Sequence, residues 1–249
     1  MVKALRTSVR SGGLRQGGLH PGIGSDNIFA TASLDLDFAR HKNLGQQVDA
    51  TTGSNLIDFT RASSATYVGS DGLIKTATTN LLLWSEEFDD AAWSTLLSSV
   101  TPDATTAPNG TTTADKIVAS GGSGEHNAFQ SFTVVSGQTY TFSCYLKASE
   151  RTLFSLAFRV ASLWPSSSNQ VVNYDLSNGT ASILSGTASN TIAAVGNGWY
   201  RCSITSTAIA SGTGQVRVQS VFDADGEGVF VWGAQLEQSD TVGEYVKTT

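Results

Sequence analysis

Charged side chains are scarce in this chain. Asp, Glu, Lys and Arg make up 14% of its 249 residues, whereas an average globular domain has about a quarter. Polar uncharged residues take their place, together with 25 glycines. This composition favours short strands joined by turns and disfavours long helices. A chain of this length can bury the core of one large β domain, or of one domain with an appendage.

Long apolar runs are missing as well. No apolar stretch approaches the roughly 20 residues that a membrane span needs, so we expect no membrane partner. The N-terminal segment MVKALRTSVRSGG is basic but has no apolar centre, so it does not predict a secretory signal.

Residues for metal and nucleophile chemistry are few. The three histidines, His20, His41 and His126, lie far apart in sequence without Cys or acidic neighbours at ligand spacing, which excludes a zinc pattern. The GGSG run at 121–124 lacks the lysine and the helix of a phosphate-binding loop. No nucleophile elbow occurs in a strand-turn-helix context. We therefore predict no catalytic residues.

One acidic cluster invites comparison with a glycosidase. Asp223, Asp225 and Glu227 lie in VFDADGEGV, and a glycosidase needs two carboxylates about 5 to 10 Å apart in a cleft. Alternating acids in a glycine-containing turn are more typical of a solvated hairpin tip. The sequence predicts that the protein is not an enzyme.

The chain has only two cysteines, too few for a disulfide framework. Cys144 and Cys202 each occupy the inward row of a predicted strand. We interpret them as two small buried residues. A cross-strand disulfide is the alternative, and it would need their Cα atoms within about 7 Å.

The strongest pattern lies in FQSFTVVSGQTYTFSCYLKA, residues 129–148. Tyr140, Phe142, Cys144 and Leu146 alternate with mostly polar residues, which predicts a half-buried strand. The turn Ser136-Gly137-Gln138 and the preceding FTVV indicate a β-hairpin. Similar segments recur about every ten residues with Gly or Asn turns between them. The predicted fold is all-β, an antiparallel β-sandwich of the jelly-roll type.

The composition divides the chain into three parts. Residues 1–27 contain the clusters SGG, QGG and PGIG, which exclude a helix of any length and predict an extended arm. Residues 28–79 contain short alternating segments and the turn GSDG, so we predict a small β appendage. Residues 80–249 are predicted to form the jelly-roll sandwich.

The arm and the rest of the chain have opposite charge. Lys3, Arg6, Arg10 and Arg15 make residues 1–25 +4, so the net charge of −6 leaves −10 for the remainder. A basic arm seeks an acidic surface, and we expect it to anchor the protein to a partner chain. Nucleic acid is disfavoured as that partner, because no aromatic residues are interleaved with the charges.

Five separated segments resemble bacteriophage virion structural proteins: LDLDFA, FTRASSATYVGSDGLIKTATTNLLLWSEEFD, SGQTYTFSCYLKA, GNGWYRCSI and VFVWGAQLEQSDTVGEYVKTT. The resemblance spans about residues 30–249. It is to tail, fibre or head-decoration proteins that carry a jelly roll like a carbohydrate-binding module. It implies location in the virion and use in attachment or particle building, with other virion proteins as partners. Sandwich edges and exposed Tyr and Thr faces suit a homo-oligomer, and a trimer is the first expectation.

The resemblance also raises a metal site. Related sugar-binding jelly rolls often hold a structural calcium between the first and last strands, and Glu86, Glu87 and Asp89 are the candidate ligands here. The usual acidic pair near the last strand is replaced by GAQLE at 233–237. We therefore predict no cofactor and keep calcium as the alternative.

A host surface glycan is the alternative partner. Lectin-like sandwiches stack a sugar ring on an exposed aromatic side chain, and Trp164 lies in the polar loop SLWPSSSNQ with Asn169 and Gln170 nearby. The competing interpretation is a loop aromatic that tucks over the sandwich edge. Trp84, Trp93, Trp199 and Trp232 lie in apolar contexts and are predicted to be core residues.

Overall fold

The computed structural model describes residues 66–68, 74–76, 79–122, 124–222 and 226–249, with only the backbone at 66–68, 74–76 and 221–222. The predicted arm, with Lys3, Arg6, Arg10 and Arg15, lies outside the described residues, as does most of the predicted appendage. The division into three domains therefore stays a prediction. Among the described residues, no helix has the length and apolar character needed to cross a membrane.

The described residues form a nearly all-β structure with two short 3-10 segments, Ala161–Leu163 and Pro165–Ser167. Its strands are β1 Thr66–Val68, β2 Ile74–Thr76, β3 Ser94–Leu96, β4 Ser98–Thr105, β5 Ala114–Ala119, β6 Gly124–Val134, β7 Thr139–Ala148, β8 Leu153–Arg159, β9 Gln170–Asp175, β10 Thr180–Ser185, β11 Ser189–Gly196, β12 Trp199–Thr207, β13 Gly212–Phe222 and β14 Gly228–Glu237.

Two six-stranded antiparallel sheets make up the sandwich. The first sheet has the strand order β10-β9-β8-β13-β6-β3, and the second has the order β11-β12-β7-β14-β5-β4. Consecutive strands often lie in different sheets, as jelly-roll connections require. The predicted all-β antiparallel sandwich is confirmed. The short strands β1 and β2 pair with each other, with Thr66 opposite Thr76, on either side of the predicted GSDG turn.

The predicted hairpin at 129–148 is wrong. β6 pairs with β13 and β3 in the first sheet, whereas β7 pairs with β12 and β14 in the second. The turn carries the chain across the sandwich, and Gly137 adopts the left-handed conformation there with φ of 81°, which glycine tolerates without strain. Alternation identifies the buried face of each strand but not its neighbour, so the sequence pattern could not separate a hairpin from a crossover.

Inward side chains of both sheets fill one core. From β7 the predicted row Tyr140, Phe142, Cys144 and Leu146 is buried, and from the first sheet Phe158 meets it. Cys144 lies directly opposite Cys202 in the β7–β12 register, and both are buried free thiols. Burial raises the pKa of the Cys144 thiol to about 12. The interpretation of the two cysteines as small buried residues is confirmed.

The C-terminal strap, residues 238–249, follows β14 and packs against the outer face of the second sheet. Thr141 donates a hydrogen bond to the carbonyl of Ser239, and Arg201 donates one to the carbonyl of Gly243. The ring of Tyr245, in the strap, packs against the rings of Tyr145 and Trp232, and its centroid lies 6.0 and 4.8 Å from theirs. The strap therefore covers the aromatic side chains on that face.

Candidate functional site

The outer face of the first sheet carries an unusual set of polar side chains. On β13, Val216 and Val218 are fully buried in the core, so the alternate residues Gln215, Arg217 and Gln219 lie on the outer face. On β6, the same alternation places Glu125, Asn127 and Phe129 outward, which their register with β13 confirms. We call this set, with Arg159 of β8, the amide face.

A row of polar residues crosses four strands of the amide face. Asn127 is the register partner of Gln219, Gln219 that of Ser155, and Ser155 that of Asn173. Neighbouring strands lie about 4.8 Å apart, so adjacent side chains in the row are within reach of each other. At the far end, the Ser155 hydroxyl donates a hydrogen bond to Asn173 Oδ1 at 2.6 Å.

At the other end of this row, the side-chain oxygens of Asn127 and Gln219 lack hydrogen-bond donors within the described part of the protein. Asn127 and Gln219 are 0% and 4% exposed, yet Asn127 Oδ1 and Gln219 Oε1 have no hydrogen-bond partner among the residues that the structure describes. A buried acceptor without a donor costs about 1–3 kcal/mol. Both oxygens are closed to solvent in the folded structure, so a ligand with hydrogen-bond donors would reach them only after the outer side chains around them move.

An arginine and an aromatic ring lie beside these acceptors. The Arg217 guanidinium lies 5.1 Å from the centroid of the Phe129 ring and donates to Gln215 Oε1 at 2.7 Å. Partial burial, and the nearby cation of Arg159, lower the pKa of Arg217, while Glu125 opposes the shift. The face thus has guanidinium donors next to the unpaired acceptors, with the Arg217 cation over the Phe129 ring.

An ion pair crosses the amide face. Arg159 on β8 binds both carboxylate oxygens of Glu125 on β6, at 3.1 and 2.9 Å. Since β13 lies between β8 and β6, the pair must pass over the outer side chains of β13. Arg217 on β13 also reaches Glu125, with 3.4 Å between Nη1 and Oε2. Such partly exposed pairs are worth about 1 kcal/mol or less, so a ligand can displace this one.

Sequence reasoning missed the amide face. The sequence pattern makes no prediction for the outward rows of β6 and β13, because polar side chains on one half of an alternating strand are usually solvated. A signal was nonetheless present, because Asn is depleted in strands and Asn127 sits in the middle of one. What the sequence could not show is that Asn127 and Gln219 face each other.

The predicted glycan contact at Trp164 is wrong. Its side chain is 0% exposed, stacks on Phe158 with 4.6 Å between centroids, and donates its indole N–H to the carbonyl of Arg159 at 2.9 Å. A sugar ring cannot reach it. Burying a large aromatic side chain stabilises the fold by about 3 kcal/mol, which explains why the competing interpretation, a loop aromatic tucked over the edge, is the one found.

The other two predicted glycan contacts have structural partners or neighbours. Gln170 is buried, donates to the carbonyls of Pro165 and Ser168, and accepts from the backbone N–H of Thr187. It thereby holds the loop shape. Asn169 next to it is half-buried, and without an exposed ring beside it the loop has no stacking platform.

The calcium candidates do not form a donor set. Glu86 is buried and its carboxylate binds Lys247 at 2.8 Å and the Tyr245 hydroxyl at 3.2 Å, whereas Glu87 and Asp89 are exposed. Within 79–122, 124–222 and 226–249, no group of three or more His, Cys, Asp or Glu is placed to hold a metal. The residues present do not fit calcium, and the absence of a cofactor stays a prediction.

The acidic cluster at 223–227 is described only in part. Asp223 and Asp225 lie outside the described residues, and Glu227 forms an ion pair with Arg151. The prediction that the protein is not an enzyme stays a prediction.

A depression lies beside the second 3-10 segment, Pro165–Ser167. It has a volume of about 420 Å³ and is lined by Thr139, Pro165, Thr187, Ser189, Thr205, Ser206, Thr207 and Asp240. Two of its hydroxyls, those of Thr139 and Thr207, bond to each other at 2.8 Å. With no aromatic ring in its lining, it offers a sugar no stacking surface.

No protein-family model and no curated protein matches the chain. Among solved structures, it is similar to the enzymatically active domain of tailspike protein 4 of bacteriophage CBA120, at 11% identity and TM-score 0.39 over 62% of this chain and 20% of that one. It is also similar to TmCBM61 in complex with β-1,4-galactotriose, at 12% identity and TM-score 0.41 over 65% and 99%. A third is the arabinose-bound MgGH51 α-L-arabinofuranosidase, at 15% identity and TM-score 0.41 over 68% and 27%.

The chain thus spans about a fifth of the tailspike domain and about a quarter of the arabinofuranosidase. At these identities and TM-scores, the similarities carry no argument about ligand or activity.

Proposed function

We propose that this β-sandwich binds carbohydrate on the amide face. The observation that carries the proposal is the facing pair of buried, unpaired acceptors, Asn127 Oδ1 and Gln219 Oε1. Adjacent hydroxyl groups of a sugar ring would donate to them, which removes the cost of two unsatisfied groups. The same hydroxyls accept from the guanidinium groups of Arg217 and Arg159.

Binding would begin with displacement of the ion pair between Glu125 and Arg159. The freed carboxylate and guanidinium then become further partners for sugar hydroxyls. Loss of a pair worth about 1 kcal/mol is offset by one or two hydrogen bonds to the ligand, each worth about 1 kcal/mol net. Modest affinity for a single sugar unit follows, with tighter binding for longer oligosaccharides that cover more of the row.

A glycan array compares wild-type protein with Gln219→Leu. We expect the variant to lose about tenfold in affinity for every bound glycan, while its melting temperature stays equal or rises because an unpaired acceptor has been removed. The matched control is Gln238→Leu, at an exposed position of the strap, which should bind as wild type does. Absence of any glycan binding by wild-type protein would remove the proposal.

The setting that we propose for this module is a bacteriophage virion, with the sandwich exposed for host attachment. The support is the resemblance of the five segments and the contrast between +4 in residues 1–25 and −10 in the remainder. Arginines suit bidentate contact with carboxylates of an acidic neighbour. The arm would anchor the protein to other virion proteins and leave the amide face free.

Deletion of residues 1–27 tests this setting separately from glycan binding. We expect the truncated protein to be absent from purified particles, as measured by quantitative mass spectrometry, while it binds the same glycans in solution. Incorporation of the truncated protein at the wild-type copy number would contradict the anchoring role and leave the glycan proposal standing.

A further inference from the structure

The edge strands on the two sides of the sandwich differ in how well they are protected against pairing with another chain. On one side the edge strands are β3, of only three residues, and β4, which contains Pro102 and Asp103 and breaks register with β5 between Thr101 and Thr105. Short strands, proline, charge and bulges all keep an edge from pairing with another chain. This side is therefore protected against association.

The opposite side has neither short edge strands, nor proline, nor charge in them. Its edge strands are β10 and β11, of six and eight residues. Both lie in the 25-residue stretch 176–200, which contains no Asp, Glu, Lys, Arg or Pro. Ile183, Leu184 and Val195 are 51%, 62% and 44% exposed there. Exposed apolar side chains beside an uncharged edge are a template for strand pairing.

β11 is the better template of the two. Its register with β12 runs unbroken from Ser189 to Ala194, whereas β10 shifts register against β9 between Ile183 and Ser185. Along those six residues, alternate backbone N–H and C=O groups point away from β12. Within the described part of the chain, no strand pairs with this edge of β11.

We propose that β11 pairs antiparallel with β11 of a second copy of this chain, so that the second sheets of two copies become continuous. Charge favours a second copy as the occupant. The chain carries −6, so two copies repel each other except where charge is absent, and the β11 edge is such a place. A basic partner would instead need acidic residues at the contact.

Pairing of an edge with itself requires two-fold symmetry. The building block is then a dimer with residues near Thr191 and Ile192 at its axis, and the trimer expected from the sequence would need a different, head-to-tail contact. The amide face belongs to the first sheet, so this dimer leaves both copies of it accessible.

Sedimentation velocity of the full chain over a concentration series tests the proposal. Wild-type protein should be a dimer, and Thr191→Lys, which brings two cations together at the axis, should weaken the dimer at least about tenfold. Thr101→Lys, the same change on the protected edge strand β4, should remain a dimer. Circular dichroism checks that each variant is folded.

Ala193→Glu is a second variant in case Thr191→Lys fails to fold, because the new carboxylate faces Arg201 of its own β12 and so suits the folded monomer. It too should give monomers. A monomeric or trimeric wild-type protein would overturn the proposal, and so would a folded edge variant that dimerises as tightly as wild type.

Discussion

Neither Asn127 nor Gln219 alone indicates a binding site, but the two residues together define one. Each is a buried amide on a strand, and each has a carbonyl oxygen without a partner in the described structure. Alone, either would be a minor defect in packing. The β6–β13 register places the two residues opposite each other, and we propose that one ligand with adjacent hydroxyls donates to both oxygens.

Asp115 is a buried acid whose contribution to stability depends on pH. Asp115 on β5 accepts from the backbone N–H of Phe88 at 2.7 Å and of Asp103 at 3.0 Å. Burial raises the pKa of its carboxyl group to about 6, although both hydrogen bonds oppose the shift. The folded state therefore binds the proton more tightly than the unfolded state does.

We predict that the contribution of Asp115 to the free energy of unfolding is fully present below about pH 4 and is lost as the pH rises to about 6, by up to about 3 kcal/mol. Urea unfolding of Asp115→Asn should show a smaller fall in stability between pH 4 and pH 7 than wild type. Asp240→Asn, at an exposed position, is the control and should keep the wild-type profile. An identical profile for Asp115→Asn would refute the assignment.

At the scale of elements, one side chain ties the start of the sandwich to its end. Asn80 Oδ1 accepts from the N–H groups of Leu82 and Leu236, and its Nδ2 donates to the carbonyls of Ala234 and Val246. These four bonds join residues 80–82, which precede β3, to β14 and the strap. The side chain is buried, so each bond is protected from water.

We predict that Asn80→Leu lowers the free energy of unfolding by about 4 kcal/mol, since four backbone groups lose a partner at about 1 kcal/mol each. Amide hydrogens of the strap should also exchange faster in the variant than in wild-type protein, because the carbonyl of Val246 loses its donor and the strap is held less firmly. Hydrogen exchange and urea unfolding provide both readouts. A change of similar size in Asn109→Leu, in an exposed turn, would show that the effect is not specific to this clamp.

Across the whole molecule, the alternation of apolar and polar residues was enough to predict the fold class. The row Tyr140, Phe142, Cys144 and Leu146 was expected to be buried and is buried. The partner of β7 was not predictable, since a period of two defines a face and not a neighbour. Trp164 was misplaced for a related reason: a polar loop sequence does not reveal that its one large ring turns into the core.

The candidate site could not be predicted either, because it also depends on which strands pair. Asn127, Arg217 and Gln219 are distant in sequence and meet only through the β6–β13 register. The ion pair between Glu125 and Arg159 likewise depends on strand order, because the residues lie on strands separated by β13. Composition and spacing contain no record of either arrangement.

The most direct test of carbohydrate binding on the amide face is a two-dimensional ¹H–¹⁵N NMR titration of the full chain with the oligosaccharide that binds best on the array. We predict saturable shifts of the side-chain NH₂ signals of Asn127 and Gln219 and of the guanidinium signal of Arg217. Shifts confined to the depression around Thr139 and Thr207, or to the loop around Trp164, would contradict the account.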